Sequence, residues 1–209
     1  MHGGGGRLKD KQRLYMKKLD KNKPDFSLHI VEKTSIPGLL VIRRPIFKDD
    51  RGFFKEVFRQ DEFKKATGIS FVPKQWNHSY SKPNVIRGLH AENWNKIVYP
   101  VTGKMFAAVA DIRPESRTFG KYTSFNFDAK DLRALYIPKG LANSICVVGK
   151  IPVHYFYLVD AYYSGKDTRA VAWDDPDIGV SWPIKDPVIS KRDRSNPRLR
   201  DLYPEKFGK

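Results

Sequence analysis

Between Leu39 and Trp173 the chain is a succession of short β-branched and aromatic runs, each soon cut off by Gly, Pro, Asn or Asp. That punctuation is what antiparallel strands require, and it leaves little room for long helices. Candidate strands cover residues 39–43, 53–58, 71–77, 85–87, 96–101, 104–112, 122–127, 134–137, 144–148, 154–159 and 170–173. So many short strands in 209 residues imply a mainly β sandwich or barrel. Val101-Thr102-Gly103-Lys104 is short enough to be a hairpin turn, and Pro138-Lys139-Gly140 holds both residues that fix turn dihedrals. One helix is expected over 60–66, with Asp61 and Glu62 early, Lys64 and Lys65 late, and Thr67-Gly68 as the stop. Beyond Trp182 four prolines, Pro183, Pro187, Pro197 and Pro204, predict irregular chain wrapping the barrel.

Composition then narrows the class. Hydrophobic residues at 40% are enough for a core, and no apolar run approaches the roughly 20 residues that span a bilayer. The lone Cys146, in an apolar run, cannot form an internal disulfide and points to a reducing, cytoplasmic setting. The net charge of +16 is concentrated at the ends, with residues 1–24 read as a basic flexible leader and 25–209 as one domain. No nucleic-acid-binding motif accompanies the basic residues, so an anionic small substrate is expected and nucleic acid is not.

A series of motifs is far more specific. It runs Asp50-Arg51-Gly52-Phe53-Phe54-Lys55-Glu56, Gln75-Trp76-Asn77-His78-Ser79, Arg87-Gly88-Leu89-His90, Lys96 and Asp111-Ile112-Arg113. Ile137-Pro138, Tyr157, Tyr163, Asp175-Pro176, Trp182-Pro183, Ser190 and Asp193 continue it. In order and content this resembles the dTDP-4-dehydrorhamnose 3,5-epimerase family, over roughly residues 36–203. The resemblance implies an antiparallel jelly-roll barrel of the cupin type, a homodimer, no cofactor and no metal. Its substrate would be a dTDP-linked 4-keto-6-deoxy sugar, whose C3 and C5 protons are acidic because both carbons flank the ketone.

Such chemistry needs a base on one face, an acid on the other and a positive charge at the carbonyl oxygen. By resemblance His90 is the base, Asp193 its carboxylate partner, Lys96 the enolate stabiliser and Tyr157 the acid, with Tyr163 as a nearby rival. Arg51 and Arg87 are assigned to the diphosphate, and Phe54, Glu56, Gln75 and Asn77 to shaping the site. Taken alone, His90 would be an ordinary structural histidine and Asp193, among Lys191, Arg192 and Arg194, a surface ion pair. A metal site would need a His-x-His pair, whereas His90 is followed by Ala91-Glu92, and His78 and His154 stand alone in other strands.

Three positions depart from the family pattern. Glu92 stands where Gln is usual, with a short Asn93-Trp94-Asn95 loop before Lys96; Ala142-Asn143-Ser144 replaces Ala-His-Gly; and Thr168 takes an acidic position. Glu92 and Asn143 are expected to line the same mouth and to alter contacts to the sugar. Two rival functions share these residues: a sugar-nucleotide 3,4-ketoisomerase, and a non-catalytic sugar-nucleotide-binding barrel.

Overall fold

The computed structural model describes residues 31–131, 133–165 and 168–208, and of Thr168 only the backbone. The basic leader expected over 1–24 lies outside the described residues.

Two antiparallel sheets face one another. Numbered in chain order, the first runs β1 (Val31–Lys33), β2 (Leu40–Ile42), β10 (Ala134–Ile137), β7 (Lys96–Pro100), β12 (Val153–Val159) and β5 (Gln75–Ser81). The second runs β13 (Thr168–Ala170), β6 (Ile86–Glu92), β11 (Leu141–Val147), β8 (Lys104–Asp111) and β9 (Tyr122–Asp128). A separate hairpin pairs β3 (Phe47–Asp49) with β4 (Gly52–Phe54).

Period-two alternation sorts the side chains of these strands into layers. Along β8, Met105, Ala107 and Val109 join the core between the sheets, while Phe106, Ala108 and Ala110 join a second core outside. Along β10, Leu135 and Ile137 point between the sheets, and Ala134 and Tyr136 point outward beneath α1 (Gln60–Thr67). Burial on both faces explains why these strands read as nearly continuous apolar runs. The helix contributes buried Phe63 and ends at Gly68, whose φ of 75° closes it with a hydrogen bond to the Lys64 carbonyl at 2.8 Å.

The expected β architecture is present, with corrections at its joints. Val101–Lys104 is not a hairpin turn, because β7 and β8 lie in different sheets; the turn carries the chain from one layer to the other. Pro138-Lys139-Gly140 does the same between β10 and β11. The strand expected from Phe71 begins only at Gln75: Pro73 has no N–H to pair, and Phe71 is buried against Phe58 and Tyr136. The strand expected over 53–58 stops at Phe54, leaving Phe58 to pack on Phe63 and Phe71. That expected over 170–173 instead spans Thr168–Ala170.

The C-terminal segment is less irregular than its prolines predict. It contains two single-turn helices, α2 (Lys191–Arg194) and α3 (Leu199–Leu202), and it lies on the outer face of the second sheet. Asp175 anchors it by accepting the Leu199 N–H at 2.7 Å, and Leu199 itself is fully buried.

Candidate active site

Alternation along the strands sends one set of polar side chains into the space between the sheets. From the second sheet come Arg87, His90 and Glu92 of β6, with Asn143 and Ile145 of β11. Gln75, Asn77 and Ser79 of β5, Lys96 of β7, and Tyr155 and Tyr157 of β12 come from the first. With Trp94, Tyr163 and Arg192 at its margin they line a cavity of about 380 Å³. His90 and Tyr157 therefore project from facing sheets into one space.

The backbone that aims His90 depends on Gly88. Its φ is 129°, and a Cβ there would sit 2.7 Å from the Asn143 carbonyl oxygen, so β6 and β11 meet closely only because the side chain is absent. A register shift between Asn143 and Ile145 follows, with Asn143 directly opposite His90. His90 Nε2 meets Asp193 Oδ1 at 2.7 Å, and the other carboxylate oxygen accepts the Gly88 N–H at 3.2 Å. Asp193 is itself held by its N–H, which donates to Ser190 Oγ at 3.1 Å. Burial opposes the Asp193 charge, but the His90 hydrogen bond and charge, with Gly88 N–H and Arg192, outweigh it, and the carboxyl lies below its ordinary range. A carboxylate on Nε2 favours the neutral tautomer protonated there, which leaves the Nδ1 lone pair to act as a base.

Lys96 and Glu92 form a buried ion pair within the cavity. Burial would raise the Glu92 carboxyl, yet Lys96 and, more weakly, His90 hold it below the usual value, so it is ionised at neutral pH. The short loop before Lys96 is pinned by Asn95, whose N–H and Nδ2 donate to Asp160 at 2.9 and 2.6 Å. Burial and the Glu92 charge both raise the Tyr157 phenol, which stays protonated at neutral pH. Gln75 Nε2 donates to Asn77 Oδ1 at 2.7 Å, and its Oε1 accepts the Tyr163 N–H at 3.0 Å.

Nine of the thirteen residues singled out from sequence line this cavity, and Asp193 stands directly behind His90. Arg51, Phe54 and Glu56 are not brought to it. They lie on or just after the β3–β4 hairpin, where Arg51 pairs with Asp49 and Glu56 with Arg44. Sequence reasoning missed Ser79, Trp94, Ile145, Tyr155 and Arg192. Three of these were accessible, since Ser79, Ile145 and Tyr155 each lie two positions from a chosen residue on the same strand face. His78 and His154, apart in sequence, meet at 2.8 Å across β5 and β12, the first exposed and the second half-buried, and both outside the cavity lining. Among the described residues no group of three or more His, Cys, Asp or Glu is arranged to hold a metal, and no helix is long and apolar enough to cross a membrane.

Comparison with known proteins gives this geometry its setting. The family model described as dTDP-4-dehydrorhamnose 3,5-epimerase matches residues 33–201, most of the chain. The chain belongs to that family. Within it, the dTDP-4-dehydrorhamnose 3,5-epimerase of Shigella flexneri is 37% identical over 175 residues, covering 82% of this chain and 96% of that protein. The Legionella pneumophila dTDP-6-deoxy-D-glucose-3,5-epimerase, solved with dTDP-4-keto-L-rhamnose, superposes with a TM-score of 0.79 at 30% identity, over 84% of this chain and 95% of its own. A 3'-monoepimerase of Streptomyces bikiniensis, solved with dTDP-quinovose, gives a TM-score of 0.78 at 30% identity, over 85% and 90%. Membership in the dTDP-4-dehydrorhamnose 3,5-epimerase family makes the chain an isomerase, a sugar-nucleotide epimerase on a cupin-like barrel.

Proposed function

We propose that the chain inverts C3, C5 or both in a dTDP-linked 4-keto-6-deoxyhexose, using side chains alone. One observation carries this reading: an imidazole backed by a carboxylate and a protonated phenol enter one cavity from opposite sheets. His90 takes the proton from the carbon beside the ketone, and the electron pair moves onto the carbonyl oxygen as an enolate. Lys96 stabilises that oxygen. Tyr157 then returns a proton from the other side, and the centre is inverted. Arg87 and Arg192, both at the cavity, supply cations for the diphosphate.

The homodimer expected from family likeness and the displaced residues Arg51, Phe54 and Glu56 account for one another. Phe53 and Phe54 are 60% and 65% exposed on the β3–β4 hairpin, and a second copy supplies a cavity for such a hairpin to approach. Cys146, a buried free thiol, suits the reducing cytoplasm in which we place the protein.

Incubation with dTDP-4-keto-6-deoxyglucose in deuterated water, followed by NMR, tests the reading. Label at C3 and C5 means double epimerisation, and label at C3 alone means a single inversion. A ketone appearing at C3 identifies the 3,4-ketoisomerase instead, and absence of exchange identifies a binding barrel. Tyr157→Phe is expected to keep exchange on the His90 face while losing the inverted product.

A further inference from the structure

The ion pair between Lys96 and Glu92 adds something that epimerisation does not require. If Lys96 serves the enolate oxygen, the carboxylate in contact with it lies one hydrogen-bond step from the carbonyl and inside the same cavity. A carboxylate there offers only acceptors. A second acceptor, Asn143 Oδ1, is buried opposite His90 with no hydrogen-bond partner among the described residues. This part of the cavity is thus furnished to receive a donor from the sugar.

In an α-hydroxy ketone the hydroxyl and the carbonyl oxygen sit on adjacent carbons, close enough for a contacting ammonium and carboxylate to engage both at once. The ammonium donates to the carbonyl oxygen and the carboxylate accepts the hydroxyl proton. We infer that Glu92 is a specificity-determining residue that binds the hydroxyl next to the ketone, so that Lys96 and Glu92 together select an α-hydroxy ketone over its deoxy counterpart. The inference rests on the epimerase reading and refines its substrate class. His90 and Glu92, two residues apart on one face of β6, place the base and this acceptor beside the same edge of the sugar. A sugar without the hydroxyl leaves the carboxylate's remaining acceptor position, the one not taken by Lys96, desolvated and empty, which costs binding in the ground state and the transition state alike.

The test compares wild type with Glu92→Gln on two substrates, dTDP-4-keto-6-deoxyglucose and its 3-deoxy counterpart. Deuterium uptake at the carbons flanking the ketone gives kcat/KM for each. Wild type is expected to favour the hydroxylated sugar about ten- to a hundredfold, and Glu92→Gln to reduce that ratio to within about threefold. A carboxylate that merely held Lys96 in place would, on substitution, slow both substrates equally and leave the ratio unchanged. That outcome, or equal rates on the two sugars in wild type, overturns the inference while the epimerase reading stands. No uptake by wild type from the hydroxylated sugar would count against the epimerase reading itself, and the inference would fall with it.

Discussion

At the scale of single residues, the proposed base works only as a unit. His90 has its Nε2 committed to Asp193 and its backbone neighbour Gly88 bonded to the same carboxylate. His90→Ala is expected to reduce deuterium exchange by about a hundred- to ten-thousandfold and to leave dTDP affinity, read by calorimetry, within about threefold. Tyr157 makes a pH prediction whose sign is fixed. In the proposed role the protonated phenol is the active form, and its pKa is raised by burial and Glu92, so the alkaline loss of activity is expected only as pH climbs through a value above the ordinary ~10. A pH profile with an alkaline limb below that point would contradict the assignment. These residues were legible because the motif series orders them, and Glu92 and Asn143 stood out by departing from it. Trp94, on a loop, and Arg192, beside Asp193 on a single-turn helix, carry no periodic signal, so only the folded chain brings them to the cavity.

At the scale of elements, most strands were readable, but the three-residue β1 and β3 were missed and strand ends were not legible. An apolar run fixes a strand, but Pro73 delays β5, and Gly88, which looks like a stop, lies inside β6. Gly88→Ala is expected to destabilise the fold by about 1 to 3 kcal/mol, since the new Cβ meets backbone at a positive φ. Chemical denaturation measures it, and loss of exchange activity should accompany it. The end of β8 carries a second test. Asp111, fully buried, accepts from Arg113, Ser116 and Thr118 and so holds the following loop. Burial works against its charge, but these donors win, and its carboxyl lies below the usual range. A folded pKa below the unfolded value of about 3.9 gives stability that is complete above that pH and is lost as acid approaches the lower folded value. Asp111→Asn should therefore lower stability at neutral pH by about 2 to 4 kcal/mol and flatten the decline in acid. Urea titrations from pH 7 down to pH 3 would reveal an unchanged slope if another group were responsible.

For the whole molecule, the two-layer architecture followed from counting strands, whereas the assignment of strands to layers did not. Turns such as Val101–Lys104 have hairpin length, and only the competition between cores decides that the chain changes sheet there. The proposed assembly has a direct test: light scattering at micromolar concentration should report twice the chain mass, and Phe54→Asp should shift it toward one chain with loss of activity. Finally, His90 and its carboxylate are separated by 103 residues of sequence. During synthesis the strands of both sheets leave the ribosome before Asp193 does. A nascent chain can thus have all its strands in hand while His90 still lacks its carboxylate, and the pair forms only when the C-terminal segment docks and completes the second core.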